Sequence, residues 1–95
     1  MTLKADISRV YFIGIGGIGM SALARYFLSK GAMVSGYDKT PSDNISKLVQ
    51  EGAVVHFEED LNLIDKDAGL VIYTPAIPGD HKELQWYRSQ NFNLK

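Results

Sequence analysis

A glycine-rich segment, FIGIGGIG from Phe12 to Gly19, restricts the fold of this chain more than any other stretch of its sequence. It overlaps VYFIGI, Val10 to Ile15, whose β-branched and aromatic residues predict a buried strand. The residues after it predict a helix, because apolar side chains recur with helical spacing while Ser21, Arg25 and Ser29 fall on the opposite side. The apolar stripe consists of Met20, Leu23, Ala24, Phe27 and Leu28. Glycines concentrated between a strand and a helix are typical of a turn that an anion approaches closely.

The rest of the chain alternates predicted strands with predicted helices. Apolar runs at 32–38, 53–57 and 69–74 predict three more strands, and helical patterns follow the second and the fourth strand. Such alternation is typical of a parallel sheet that is covered on both faces. The predicted fold class is therefore α/β, a Rossmann-like open parallel sheet of four to five strands with helices on both faces. Its expected strand order is 3-2-1-4, and residues 92–94 could begin a fifth strand.

Composition narrows the kinds of partner. The 95 residues fit one small domain, and because the last predicted strand is barely started, we expect a piece of a longer protein. A net charge of −1 argues against a nucleic-acid partner, and the lack of cysteine excludes disulfides and thiolate metal sites. No apolar run approaches the ~20 residues that cross a membrane. Charges also interrupt the N-terminal MTLKADISRV where a signal peptide would be apolar, so we expect a cytoplasmic domain without a membrane partner.

Three of the glycines, Gly14, Gly16 and Gly19, form the pattern G-x-G-x-x-G at the predicted junction of strand and helix. In this pattern the first glycine permits a tight turn, the second lets a pyrophosphate approach the main chain, and the third lets helix and strand pack closely. The free N–H groups and the dipole of the helix N-terminus favour an anion at the same place. Gly17 adds further backbone freedom. The segment predicts a phosphate-bearing ligand; the alternative is a tight turn that binds nothing.

An acidic residue, Asp38, ends the second predicted strand, 19 residues after Gly19. In dinucleotide-binding folds an acid at about this spacing accepts hydrogen bonds from ribose hydroxyls. Asp38 is therefore predicted to contact a nucleoside, and the alternative is a solvated turn aspartate.

A loop with two prolines, Thr74 to Asp80, follows the fourth predicted strand. Strands one and four are neighbours at the switch point of a doubly wound sheet, so the loops after them should face each other across a crevice. Thr74 could then offer its hydroxyl to a ligand, and Ala76 and Ile77 could offer their backbone N–H groups. The alternative is a rigid connection without a binding role.

Together these motifs resemble the N-terminal domain of the Mur ligase family. The matching segments are VYFIGIGGIGMSALARYFLSKGAMVSGYD, LVQEGAVVHF and LVIYTPAIPGDHKEL, and the resemblance covers Val10 to Leu94. Its most specific part is GIGGIGMS, Gly14 to Ser21. The resemblance implies a ligase of peptidoglycan synthesis that joins L-alanine to the lactyl carboxylate of UDP-N-acetylmuramate with cleavage of ATP. It also implies that the domain formed by residues 1–95 holds the UDP end of that substrate.

The same resemblance implies roles for particular residues. The backbone from Gly16 to Met20 would hold the diphosphate, Asp38 and its neighbours would contact the uridine, and Thr74 to Ile77 would line the opposite wall. The implied substrate-binding residues are Gly14, Gly16, Gly17, Ile18, Gly19, Met20, Ser21, Asp38, Thr74, Ala76 and Ile77. We expect no catalytic residue, metal ligand or cofactor in this domain, because the chain has no G-x-x-x-x-G-K-[ST] motif for ATP phosphates. ATP and Mg²⁺ are expected in the parent enzyme, whose central ATPase and C-terminal domains are absent here.

Two features depart from the family pattern. Tyr37 stands where the family commonly has serine, and Glu58 and Glu59 occupy the region where it often has a histidine. His56 is interpreted as a strand residue packed against a neighbour, and His81 as a surface residue at the start of the last helix. Neither histidine is predicted to bind a ligand.

Two other functions fit the same residues. An NAD(P)-binding Rossmann domain of an oxidoreductase or regulatory protein would also use the glycine pattern and Asp38. A full dinucleotide normally spans two mononucleotide-binding halves of a sheet, however, and this chain supplies little more than one half. A non-binding structural domain, for instance a dimerisation module, is the other alternative, and it leaves the cost of the clustered glycines unexplained.

Overall fold

The computed structural model describes residues 7–95 of the chain. Most of the charged N-terminal stretch that argues against a signal peptide lies outside the described residues. Four strands and three helices occur in the predicted order, and residues 57–69 join the third strand to the fourth without a helix. They are β1 (Arg9–Ile13), α1 (Ile18–Ser29), β2 (Met33–Tyr37), α2 (Asp43–Gln50), β3 (Val54–His56), β4 (Leu70–Tyr73) and α3 (Lys82–Ser89).

The four strands form one parallel sheet in the order β3-β2-β1-β4, which confirms the predicted fold class and strand order. Leu94 makes a single parallel bridge to Val71 on the free side of β4, where the predicted fifth strand starts. Strand β1 ends earlier than predicted, because the N–H groups of Gly14 and Ile15 both turn to the carbonyl oxygen of Tyr37.

Helices cover both faces of the sheet. One face of β1 packs with α1 and α2, and its core includes Val10, Phe12, Ala24, Ile45 and Leu48. The opposite face packs with α3 and the 57–69 connection, and its core includes Tyr11, Ile13, Ile64, Leu84 and Tyr87. Successive β1 residues therefore alternate between two buried faces, which is the reason that the strand is apolar throughout.

Helix α1 turns a different side toward the core than the predicted apolar stripe. Ser21 was expected on the outer side but is buried, whereas Leu23 was expected in the core and is 43% exposed. Ser21 can be buried because its hydroxyl is fully hydrogen-bonded, donating to the carbonyl oxygen of Ile18 and accepting from the amide of Asn44. The small residues Ser21 and Ala24 thus let α1 lie close to the sheet, and the longer Leu23 is left at the margin.

A buried polar cluster joins β1, β3 and α3. Glu83 is completely buried and its carboxylate accepts hydrogen bonds from the Tyr11 hydroxyl (2.6 Å) and from the backbone N–H of Asp60 (3.0 Å). Nε2 of His56 lies 2.7 Å from the same carboxylate. His56 is therefore packed against its neighbours, as predicted for a strand residue.

Within residues 7–95, the helices fall short of the length and apolar character that crossing a membrane requires.

Candidate functional site

A crevice of about 550 Å³ opens at the carboxyl ends of β1, β2 and β4. The position agrees with the general rule that open parallel sheets bind ligands where the strand order reverses. Eleven residues line it: Gly14, Gly17, Tyr37, Asp38, Lys39, Glu59, Thr74, Ala76, Ile77, Pro78 and His81. Six of the eleven predicted site residues therefore line this one crevice. The other five belong to the glycine turn or to α1: Gly16, Ile18, Gly19, Met20 and Ser21.

Gly14 makes the tight turn that its place in the motif predicts. Its φ of +93° is in the region that side-chain-bearing residues rarely adopt. A Cβ at this position would also collide with the Thr74 side chain, which approaches from the loop after β4. The glycine thus lets the loops after β1 and β4 approach each other closely, and both line the crevice.

Gly16 serves a purpose that differs from the prediction. A Cβ here would lie 2.8 Å from Oδ2 of Asp38 and 2.8 Å from Cδ1 of Ile45, so the glycine makes room for the protein's own side chains. Its N–H donates a 2.7 Å hydrogen bond to that same Asp38 oxygen and is not free for a ligand. The close approach expected of a pyrophosphate at Gly16 is made instead by the Asp38 carboxylate.

The backbone N–H groups that remain free for a ligand lie after Gly16, at the start of α1. Within residues 7–95, the backbone N–H groups of Ile18, Gly19 and Met20 have no hydrogen-bond acceptor, and the N-cap Gly17 has no side chain to supply one. Gly19 was predicted to let helix and strand pack closely, and this is wrong, because a Cβ there would meet only open space. Ile18 is 90% exposed beside it. This N-terminus therefore presents three uncapped donors and a positive dipole end at an open surface.

Asn44 of α2 braces the glycine turn, and the sequence did not reveal this role. Its side-chain amide donates to Oγ of Ser21 (2.7 Å) and to the carbonyl oxygen of Gly16 (3.3 Å). Its carbonyl oxygen accepts from Arg25. Ser21, predicted to bind substrate, lies buried beneath the turn as the partner of this brace. In the sequence, Asn44 only ends the loop before the second predicted helix, where it is a candidate cap residue.

Asp38 is a structural partner of the turn as well as a lining residue. Oδ2 accepts from Gly16 and Oδ1 accepts from the N–H of Thr40 at 3.0 Å, so each oxygen already has one donor. Carboxylate oxygens can each accept a second hydrogen bond. The predicted contact with a nucleoside therefore stays compatible with the geometry, but the carboxylate is held in place before any ligand arrives.

The loop after β4 uses two of its predicted donors internally. The N–H of Ile77 donates to the Thr74 carbonyl oxygen at 3.1 Å, and the N–H of Ala76 makes a long 3.4 Å contact with the Thr74 hydroxyl. These N–H groups form a turn rather than being free for a ligand, which corrects the expectation for Ala76 and Ile77. The loop still lines the crevice, now mainly with the side chains of Thr74, Ile77 and Pro78.

The wall of the crevice that includes Tyr37, Glu59 and His81 combines two aromatic rings with carboxylates. The ring of His81 packs edge-on against that of Tyr37, with centroids 4.6 Å apart. Glu59, from the connection after β3, accepts a 2.8 Å hydrogen bond from the N–H of Lys82. Burial first, and then the negative charges of Glu59, Glu83 and Asp38, raise the pKa of Tyr37 above its ordinary value.

The prediction that His81 is a surface residue is wrong. Only 3% of His81 is exposed, because it caps the N-terminus of α3 and its ring packs against the Tyr37 ring. A histidine is an uncommon helix cap, so its position before Lys82 was a weak sequence signal.

The geometry of this crevice is suited to binding. It combines uncapped N–H donors for an anion with a wall of aromatic and carboxylate side chains suited to a flat, polar, uncharged group. Within the described part of the chain, no three histidine or carboxylate side chains are grouped so that they could hold a metal ion.

Comparison with known proteins identifies the family of the chain. The family model described as "Mur ligase family, catalytic domain" matches residues 9–94. A UDP-N-acetylmuramate–L-alanine ligase from Phocaeicola vulgatus is 54% identical over 98% of this chain. A protein of the same name from Porphyromonas gingivalis is 54% identical over 93% of it. The chain spans about one fifth of the length of these curated relatives, 20% of each.

Two solved structures share the fold. A murein peptide ligase from Psychrobacter arcticus superposes with a TM-score of 0.83 at 18% identity, over 93% of this chain and 18% of that one. A UDP-N-acetylmuramate:L-alanyl-γ-D-glutamyl-meso-diaminopimelate ligase from Neisseria gives 0.81 at 20% identity, over 94% of this chain and 28% of that one. At these identities the likeness confirms the fold alone.

Proposed function

Because the chain belongs to the Mur ligase family, we propose that this domain binds the UDP end of UDP-N-acetylmuramate. The observation that carries the proposal is the set of three uncapped N–H groups at Ile18, Gly19 and Met20, which directly follow Gly17 in the crevice wall. A diphosphate is the group best suited to several converging N–H donors at a helix N-terminus.

The rest of the nucleotide would then lie in the crevice that begins beside this helix N-terminus at Gly17. Asp38, Tyr37 and the loop after β4 also line that crevice. Asp38 is positioned to accept from a ribose hydroxyl with the lone pairs left over from Gly16 and Thr40. The predicted roles are thereby narrowed: the diphosphate contacts residues 18–20, while Gly16 and Ser21 shape the turn.

We infer that the longer protein adds L-alanine to UDP-N-acetylmuramate with hydrolysis of ATP, in peptidoglycan synthesis. Support comes from relatives that carry the name UDP-N-acetylmuramate–L-alanine ligase over nearly the whole of this chain. The residues present do not fit ATP and Mg²⁺, because no G-x-x-x-x-G-K-[ST] motif occurs in the 95 residues. We therefore place the ATP- and Mg²⁺-dependent step on parts of the protein outside this chain and derive no step of it here.

An amide chemical-shift titration of the domain tests the binding role. UDP-N-acetylmuramate and UDP should shift the amide signals of Ile18, Gly19 and Met20, with smaller shifts in the loop that contains Thr74. The Gly31 amide, at the opposite end of α1, is the internal control and should stay in place. NADH and ATP serve as competitors: if NADH saturates the site and UDP does not, the domain belongs to the dinucleotide-binding class and the proposal fails.

A further inference from the structure

One ring nitrogen of His81 has no partner in the described part of the chain. Among residues 7–95, Nε2 of His81 is the one buried side-chain nitrogen or oxygen atom without a hydrogen bond. The other ring nitrogen, Nδ1, accepts from the backbone N–H of Glu83 at 3.2 Å. A nitrogen that accepts carries no proton, so the neutral ring has its proton on Nε2. His81 therefore holds a buried, unused N–H donor.

An unused buried donor needs an explanation, because leaving one unpaired typically costs about 1–3 kcal/mol. His81 is held firmly in this state: it caps α3 through Nδ1 and its ring packs against Tyr37. It also lines the same crevice as Gly14 and Gly17. A ligand atom that accepts a hydrogen bond would remove the cost. Because Nε2 is itself buried, a ligand in the crevice that His81 lines would have to move the atoms that now cover this nitrogen.

The charges around His81 decide which part of a nucleotide that atom belongs to. Glu59 and Asp38 line the same crevice, and their negative charges, with that of the buried Glu83, act on Tyr37. Lys39 is the single cation among the lining residues, and it is exposed. A phosphate would be repelled at this wall and attracted to the start of α1. The wall is suited to a flat, neutral group that carries an acceptor oxygen and can lie against a tyrosine ring.

We propose that His81 is a specificity-determining residue that donates its Nε2 hydrogen to a carbonyl oxygen of the pyrimidine base, which lies against Tyr37. The proposal rests on the proposed function, since it assumes that a uridine nucleotide occupies the crevice. It adds a division of the crevice into a diphosphate end at α1 and a base end at α3.

The variant His81→Asn removes the Nε2 donor but keeps a side chain that can cap α3. Asparagine is among the best N-cap residues, so its side-chain oxygen should still accept from Glu83, but it is too short to place a donor where Nε2 lies. The affinity for UDP should fall roughly tenfold, as expected for one lost hydrogen bond. The affinity for inorganic pyrophosphate, which has no base, should stay within about twofold. The variant His81→Ala, which also removes the cap, should lose the same UDP affinity and, unlike His81→Asn, unfold at lower denaturant.

A direct readout is the nitrogen signal of the imidazole. Addition of UDP to the unmodified domain should move the Nε2 signal of His81, while the ring signals of His56, already engaged with Glu83, should move far less. If UDP shifts the Ile18–Met20 amides but leaves His81 Nε2 unmoved and His81→Asn binds normally, the His81 proposal is overturned and the UDP-binding role stands. If His81→Asn weakens UDP and pyrophosphate equally, the base assignment is wrong. If UDP does not bind at all, both proposals fall.

Discussion

The carboxylate of Asp38 and the backbone N–H of Gly16 are joined by a 2.7 Å hydrogen bond. A bond of this kind, from a backbone donor to an ionised acceptor, is shorter and stronger than one between neutral groups. It ties the end of β2 to the turn after β1, and Gly16 has no side chain because the carboxylate occupies that space. The acid and the second glycine of the motif thus form one unit, which fixes the turn from which α1 starts.

Replacing Asp38 with alanine should loosen this turn. The variant loses the bonds to Gly16 and Thr40, so we expect the free energy of unfolding to fall by about 1–3 kcal/mol and UDP affinity to fall as well. Urea denaturation and calorimetric titration measure the two effects. Asp67→Ala, which removes an exposed carboxylate elsewhere on the surface, is the control and should change both by little. Unchanged stability in Asp38→Ala would show that the bond does not hold the turn.

Two glycines of the motif should respond in opposite directions to alanine. In Gly16→Ala the new methyl group would lie 2.8 Å from Asp38 Oδ2 and from Ile45 Cδ1, and such overpacking typically costs about 1–3 kcal/mol. In Gly19→Ala it would meet open space within a helix, so stability should rise by about 0.5–1 kcal/mol. Urea denaturation of the two variants side by side measures the contrast. If both variants changed the free energy of unfolding alike, the close contact would not be specific to Gly16.

The fold could be predicted from the sequence because the pattern of apolar residues and glycines determines it. Apolar runs such as VYFIGI must be buried on both faces, and their alternation with helices leaves few topologies, so the strand order followed directly. The same holds for Gly14, since a left-handed turn between strand and helix needs a residue without a side chain.

The sequence does not predict which side chains meet across elements. Asn44 and Ser21 are 23 positions apart, and Tyr37 and His81 are 44 apart, so no local pattern links them. The burial of Ser21 and the capping role of His81 depend on hydrogen bonds that exist only after folding. The motif also could not show that its second glycine makes room for Asp38 rather than for a ligand, because both roles require the same residue.

The brace between Asn44 and Ser21 can be measured with a double-mutant cycle. Asn44→Ala and Ser21→Ala each remove the 2.7 Å bond between these side chains, so their effects on stability should not add. We expect a coupling free energy of about 0.5–2 kcal/mol, the range typical of contacting residues. Pairing Ser21→Ala with Gln85→Ala, on the distant α3, is the control and should give additive effects. An additive result for Asn44 and Ser21 would mean that the brace contributes nothing to stability.

The buried carboxylate of Glu83 should be among the most sensitive positions for stability. Glu83→Ala leaves the Tyr11 hydroxyl and the His56 ring without their acceptor in the core, so we expect a loss of about 3–5 kcal/mol. Glu83→Gln keeps an acceptor oxygen and should lose less. Thermal and urea unfolding measure both, and Glu58→Ala, at an exposed glutamate, should stay within about 0.5 kcal/mol of the unmodified domain. A tolerated Glu83→Ala would show that the cluster is dispensable.

The buried tyrosines should make the domain unstable in alkali. Burial, followed by the charge of Glu83 for Tyr11 and of Asp65 for Tyr87, raises the pKa of both phenols well above their ordinary value near 10. Below that pH both states keep the phenol protons and the stability is unaffected. Above it the unfolded chain loses protons that the folded domain retains, so the free energy of unfolding should fall as pH rises, by about 1.4 kcal/mol per pH unit for each tyrosine.

Tyr87→Phe tests this directly, because it removes one of these phenols and keeps the ring in the core. Urea denaturation between pH 9 and about 11.5 should give a shallower decline for the variant than for the unmodified domain, by up to one tyrosine's share of the slope. The variant should start lower at pH 8, since it loses the 2.7 Å bond from the Tyr87 hydroxyl to the carbonyl oxygen of Asp65. The two curves should therefore converge as pH rises, and parallel curves would show that the Tyr87 phenol ionises alike in the folded and unfolded chain.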